Sequence, residues 1–310
     1  MKGDKLTDKQ RRWCEWVRKK IEFYISTDKW DSITIPQLNA WIAHFGEDGE
    51  KCALALLNHF IYYSALDVRR LCRYALTEVL FKSHILEADR CYDFRGEDSI
   101  LQQRLIREIE QSCIIPILEE GNPTESGNQI ARIYTTTNLV EEENVLRPDQ
   151  LEGLVEHERC KRIIFVDDFM GSGDQLVRFW NEPMPQGKTS LCDVAQQHPD
   201  MSFEYIALVG TSYGLQRTSN RCPGLRVHFV EELSSEYQVF GEDSIFFSSA
   251  DEQEECYNYL ESLCYNKGIH LQGYHDLDFA LAFNHGTPDC SLPVFWEKSE
   301  CWDPLFKRRM

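Results

Sequence analysis

The sequence predicts an α/β protein, with a mostly parallel sheet flanked by helices and preceded by an N-terminal helical region. Three observations carry this. Residues 1 to about 112 hold apolar side chains at helical spacing. From residue 113 short apolar runs alternate with helical patterns, the order that builds parallel sheets. Ile163-Ile164-Phe165-Val166 is an unbroken apolar run, the mark of a strand buried on both faces. The chain therefore divides into a helical region, 1–112, and an α/β domain, 113–310.

In the helical region, Asp8 to Tyr24 sets Trp13, Trp16, Val17, Ile21 and Tyr24 on a helical stripe, with Arg11, Arg12, Arg18, Lys19 and Lys20 between them. Those cations read either as a solvated helix face or as a docking surface for an acidic partner or nucleic acid. Ile35 to Ile42 predicts a helix with Pro36 in its first turn, closed by Phe45-Gly46. Glu50 to Tyr63 predicts a strongly apolar helix, and Ala65 to Leu80 another, capped by Ser64. Asp98 to Glu110 is a further helix. No nucleophile–base arrangement occurs in this region, so it is assigned to packing and recognition.

In the α/β domain the first strand is Cys113 to Leu118, where Pro116 marks an irregular or edge position. A loop, Glu119 to Gly127, leads to a helix from Asn128 to Tyr134. Thr135 to Leu146 predicts a short strand or hairpin around Leu139 and Val140, and Pro148 to His157 a helix. Phe203 to Gly210 and Leu225 to Val230 predict further strands, and Glu252 to Tyr265 a helix. The tail holds the apolar stretch Asp278 to Phe283, then Asn284-His285-Gly286-Thr287-Pro288-Asp289, then Leu292 to Trp296.

Composition narrows the function. At 310 residues, 42% hydrophobic, the chain is a globular protein of one large domain or two ordinary ones. A net charge of −18 argues against a dominant nucleic-acid footprint or docking on an anionic membrane, while leaving room for a local basic patch. The N-terminus lacks the apolar core of a signal peptide, and no apolar run approaches a membrane span, so a cytoplasmic location is expected. The twelve cysteines are scattered with no C-x-x-C pair. In that compartment they read as reduced, mostly buried thiols, and a zinc site would have to be assembled from distant ones.

The chemistry concentrates at Asp167-Asp168-Phe169-Met170-Gly171-Ser172-Gly173-Asp174-Gln175. Two carboxylates follow the buried strand, then a turn small enough for backbone N–H groups to close round an anion, then the helix begun by Leu176-Val177-Arg178. Carboxylates suit sugar hydroxyls, and a helix N-terminus suits a phosphate. Together they describe a ribose-phosphate cradle. A strand ending in Asp-Asp also occurs in Walker-B sites, but the G-x-x-x-x-G-K-[ST] loop which that reading needs is missing. The plainer reading is that the carboxylates only cap the next helix. Upstream, Gly121 to Gly127 is either an ordinary turn or a run of free amides that takes an anion. Asn284 to Asp289 is either a turn before a core strand, or a rim on which His285, Thr287 and Asp289 face a ligand, His285 as proton-transfer group.

Val166-Asp167-Asp168-Phe169-Met170-Gly171-Ser172-Gly173 resembles the phosphoribosyl-pyrophosphate (PRPP) signature of type I phosphoribosyltransferases. The resemblance implies a type I phosphoribosyltransferase-like sheet in which Asp167 and Asp168 accept from the ribose 2′- and 3′-hydroxyls. It implies that Gly171, Ser172, Gly173 and the N–H groups out to Asp174 and Gln175 hold the 5′-phosphate. The upstream loop, with Thr124, Glu125, Ser126 and Gly127, would grip the pyrophosphate, and Mg²⁺ would bridge it to the ribose hydroxyls. The wider layout, including Gly-x-Pro-x-x-Ser-Gly and Asn-His-Gly-Thr-Pro-Asp-x-x-Leu-Pro-x-Phe-Trp, resembles phosphoribosyltransferase-like proteins of bacterial conflict and antiphage systems, among them effectors beside retron reverse transcriptases. On that resemblance the ligand is PRPP or a nucleotide, and the partner a defence protein such as a reverse transcriptase or its nucleic acid.

Two departures stand out. Asp174 occupies a position where biosynthetic members carry a small neutral residue. A carboxylate near a phosphate is repulsive there, by about 1 kcal/mol or more, unless it points away. The segment from Thr135 to Arg147 is also short for a mobile lid, which favours hydrolysis, or binding without turnover, over transfer. Three readings follow: chemistry at the ribose anomeric carbon, a PRPP- or nucleotide-sensing module, and an interaction protein with a vestigial cradle.

Overall fold

A computed structural model describes residues 6–82, 106–117, 126–136, 140–147, 160–184 and 189–308, with single positions 86, 90, 103 and 150. The chain forms two compact units, one of residues 1–68 with 234–309 and one of residues 69–233. Among the described residues no helix is long and apolar enough to cross a membrane.

In the first unit, helices α1 (Asp8–Ser26), α2 (Ile35–Ala43) and α3 (Gly46–Asn58) pack together. Thr7 and Thr34 each close a capping box, with Gln10 and Gln37, and Pro36 sits in the first turn of α2 as its fixed φ favours. The expected helix from Glu50 to Tyr63 stops at Asn58. Ile61–Tyr63 is a strand, β1, paired in parallel with β6 (Leu281–Phe283). Phe60 to Tyr63 is apolar throughout, so its periodicity does not distinguish helix from strand. Cross-strand packing settles it, with the Tyr63 and Phe283 rings stacked 4.9 Å apart. The segment expected to end in a core strand, Leu292 to Trp296, is instead a buried 3₁₀ turn, Pro293–Phe295. Trp41 stacks on Phe295, and both Trp41 and Trp302 donate to the Val294 carbonyl at 3.0 Å.

Helix α9 (Ala250–Lys267) also packs on α3. Here Cys52 and Cys256 are joined by a disulfide, which corrects the expectation of reduced thiols at that pair. Facing positions on α3 and α9 bring the two Cα atoms to 5.4 Å, within bridging range. The other described cysteines are outside any disulfide, and all but Cys301 are buried.

Helix α4 (Ala65–Tyr74) begins at Ser64, whose hydroxyl and N–H both bond to the Asp67 carboxylate. Its continuation, Ala75–Leu80, winds as a π-helix. The expected helix from Asp98 to Glu110 is described over 106–110, which is helical.

The second unit holds a four-stranded parallel sheet in the order β2 (Ser112–Pro116), β3 (Arg162–Met170), β4 (Ser202–Thr211), β5 (Leu225–Leu233). Helix α5 (Ser126–Thr136) follows β2, α6 (Asp174–Asn181) and α7 (Leu191–Gln197) follow β3, and α8 (Ser212–Arg221) follows β4. Pro116 ends an edge strand, as its missing N–H requires. Of the strand expected around Leu139 and Val140, Val140 lies in a bend, and Leu139 is outside the described residues. The sheet contact falls at Val145, which bridges in parallel to Ile114. Ile114 also pairs with Ile164 of β3, so Val145 lies on the opposite edge of β2. The chain thus leaves β2 toward one side and leaves β3 toward the other. The carboxyl ends of β2 and β3 form a topological switch point, where α/β sheets open a crevice.

At the other end of the sheet sits a charge cluster that the sequence reading missed. Glu204 is 3% exposed. It meets Arg162 at 3.1 Å, Arg226 at 2.9 Å and His228 at 3.1 Å. Burial alone would push its carboxyl up, but the His228 hydrogen bond and the charges of Arg162 and Arg226 outweigh it and hold the group at about 2. The folded value lies below the ordinary 4.5, so this stabilisation is present above about pH 4.5 and is lost as pH falls toward 2. Glu204→Gln takes away the buried carboxylate nearest the Arg162 guanidinium, leaving it Glu108 at 3.6 Å, and should cost about 3 kcal/mol in urea unfolding at pH 7. The gap from wild type should close between pH 4.5 and pH 2. A gap independent of pH would contradict this account of the cluster.

Candidate functional site at the carboxyl end of β3

β3 runs past its edge neighbour. Pairing with β2 ends at Pro116 opposite Val166, where Ile117 N–H donates to the Val166 carbonyl at 3.1 Å. Pairing with β4 continues through Asp167 opposite Ala207 to Met170 opposite Gly210. Asp167 and Asp168 are therefore still strand residues. They are carried beyond the end of β2 while β4 holds them in register.

Successive strand residues point to opposite faces, which sends the two carboxylates into different surroundings. Asp167 shares the face of Phe165 and Tyr205, and the Tyr205 hydroxyl hydrogen-bonds to its carboxylate. Burial, then the charges of Asp167 and Asp168, push Tyr205 well above its ordinary value, so it remains a neutral donor. Asp168 lies on the side of Cys72. Burial and then the Asp168 charge push the Cys72 thiol up to about 12, against a hydrogen bond with Tyr134 of α5. Cys72 is thus a packed thiol rather than a nucleophile. Asp167 and Asp168 are 5% and 8% exposed, far more enclosed than a simple helix cap requires. The Asp168 N–H donates to Asp167 Oδ1 at 2.9 Å, which fixes the first carboxylate on the backbone.

The turn that follows is fixed by α8. Gly173 is the N-cap of α6 at φ 76°, ψ 2°, a left-handed conformation that suits glycine. The Thr211 hydroxyl donates to the Gly171 carbonyl at 2.6 Å and accepts the Gly214 N–H at 2.9 Å. A Cβ on Gly214 would land on the Gly171 carbonyl oxygen, so the first turn of α8 lies directly against the loop. The Ser172 hydroxyl accepts the Asp174 N–H at 3.3 Å. The amides opening α6 lack intrahelical acceptors by construction and carry the positive end of the helix dipole. Asp174 is a first-turn residue, as its charge favours, and its carboxylate meets Arg217 of α8 at 2.6 Å.

The structure thus brings together Asp167, Asp168, Gly171, Ser172, Gly173, Asp174 and Gln175 on one strand end, turn and helix start. Of the upstream loop, Thr124 and Glu125 lie outside the described residues. Ser126 opens α5, and Gly127 packs on the backbone of Ile117 where β2 ends. His285, Thr287 and Asp289 belong to the other compact unit. His285 and Thr287 are buried, and Asp289 is exposed, 3.6 Å from Arg308. Among the described residues no group of three or more His, Cys, Asp or Glu side chains gathers as a metal site. Reading the sequence missed Tyr205, Thr211, Gly214 and Arg217. Tyr205 stands two residues before Ala207, whose pairing with Asp167 only the structure shows.

A family model, PRTase-CE, matches residues 38–308. The chain belongs to the PRTase-CE family. The family is phosphoribosyltransferase-like, and the match contains the whole of the β3 site and the terminal segment. Helix α1 precedes it. No curated protein matches the chain. Within this PRTase-CE protein, Gly214→Ala should push the loop off α8 and lower stability by about 1–3 kcal/mol in denaturant unfolding. An unchanged midpoint would mean that the loop is not clamped as described.

Proposed function

We propose that the chain binds PRPP or a nucleotide at the carboxyl end of β3 and acts at the anomeric carbon of the ribose. The observation that carries this is the continuity of two enclosed carboxylates with a turn and a helix N-terminus, fixed by β4 and α8. The carboxylates accept from the ribose 2′- and 3′-hydroxyls in charge-assisted hydrogen bonds, and the amides opening α6 take the 5′-phosphate. With the sugar held at both ends, the nearby negative charge also favours an oxocarbenium-like ribose as its substituent departs.

Mg²⁺ fits this arrangement only in part. The chain offers two carboxylates, hard oxygen donors, so the ion's remaining ligands would come from the sugar hydroxyls and phosphates. When bound, the ion supplies charge neutralisation for a leaving pyrophosphate. His285 as proton-transfer group, with Thr287 and Asp289 beside it, and Thr124, Glu125, Ser126 and Gly127 as the pyrophosphate grip, complete the proposal on family resemblance.

One observation favours a second reading, binding without turnover. Among the described residues of the segment that would serve as lid, Val140 N–H donates to the Tyr134 carbonyl at 3.3 Å, and Leu146 N–H to the Ile114 carbonyl at 2.8 Å. A segment tied to helix and sheet does not swing freely to exclude water. On the same resemblance we place the protein in the cytoplasm, as an effector of a bacterial conflict or antiphage system. There it would act with a reverse transcriptase or its nucleic acid.

Incubation with labelled PRPP or nucleotides and Mg²⁺ tests the catalytic reading. Wild type should release or transfer the ribose-linked group, and Asp167→Asn with Asp168→Asn should abolish that. Calorimetric binding without product would favour the sensing module. Neither binding nor product would refute both.

A further inference from the structure

The phosphate end of the cradle has a second wall. One face of α8 carries Gly214, Arg217 and Thr218 behind its N-cap Thr211, and each contacts the turn or the start of α6. The Thr211 hydroxyl holds the Gly171 carbonyl and Gly214 packs against it as described. Thr218 spends its hydroxyl on the Gly214 carbonyl at 2.8 Å, and its methyl stands 2.7 Å from where a Cβ on Gly173 would lie. Arg217 Nη2 meets Asp174 Oδ1 at 2.6 Å, with both side chains about a fifth exposed, at 23% and 21%. Arg217 Nη1 also donates to the Tyr213 hydroxyl at 3.0 Å, one turn back on the same helix. The guanidinium is therefore anchored by α8 itself as well as by its acidic partner.

A carboxylate at the first position of a helix competes with any other anion for the same amides and the same dipole. Left to itself, Asp174 would repel a phosphate at α6. On the reading above, that a ribose phosphate occupies this helix end, we propose that Arg217 is a positioning residue that adapts the cradle to a phosphate monoester. It draws the Asp174 carboxylate toward α8, off the amides at the start of α6, and offsets its charge. Arg217 thus acts through Asp174 and does not itself touch the phosphate.

Isothermal titration of ribose 5-phosphate into wild type, Arg217→Gln, Asp174→Asn and the double variant tests this, with thermal melts to confirm that each is folded. Arg217→Gln frees the carboxylate and should weaken binding about tenfold. Asp174→Asn should bind as tightly as wild type or tighter, and the double variant should recover to within about threefold of wild type. Arg217→Lys keeps the charge and should keep most of the affinity. Unchanged binding by Arg217→Gln, with wild type binding normally, would overturn the inference alone. A double variant as weak as Arg217→Gln would also overturn it, by making Arg217 a direct ligand. Failure of wild type to bind would remove the cradle reading and this inference together.

Discussion

The site depends on a length mismatch between two parallel strands. β2 stops at Pro116, while β3 keeps its pairing with β4 through Met170. A proline cannot donate to the ladder, and the strand it closes is an edge strand of the sheet. Asp167 to Met170 therefore hold strand geometry with a hydrogen-bonded neighbour on the β4 side only among the described residues. This is also where the chain's connections diverge, toward Val145 from β2 and toward β4 from β3. Two enclosed carboxylates on strand backbone, followed at once by a turn and a helix N-terminus, stand at that mismatch.

Enclosing charge at such a place requires a partner for each group, and the partners come from elements far apart in sequence. Tyr205 bonds Asp167 from β4, and Arg217 meets Asp174 from α8. At the opposite end of the sheet, Arg162, Arg226 and His228 surround Glu204 from strands β3 and β5. The same logic fixes the turn. Thr211, Gly214 and Thr218 leave little freedom to the small residues of the turn. The loop's composition permits a cradle, and α8 gives it one shape. Preorganisation of this kind lets backbone amides bind an anion without reordering when it arrives.

Much of this was legible in the sequence, because the decisive signals are local. Ile163 to Val166 announces a doubly buried strand, Gly171 to Gly173 a tight turn, and Ser64 and Pro36 mark helix starts where the structure has them. The parallel α/β class followed from alternation alone. What failed was non-local. Ile61–Tyr63 reads as the end of an apolar helix until Leu281–Phe283 pairs with it across more than two hundred residues of chain. The Cys52–Cys256 pair has a sequence separation of 204, beyond any spacing rule. Arg217 carries no local signal in the sequence. Its pairing with Asp174 appears only when α8 packs beside α6.

The claim that the carboxyl end of β3 is a preorganised ribose-phosphate site is tested most directly by amide hydrogen exchange with and without PRPP and Mg²⁺. The account predicts ligand-dependent protection centred on Gly171 to Gln175, with little change in the amides of β4 and β5. Protection confined to residues 1–68 and 234–309, or none at saturating ligand, would contradict it.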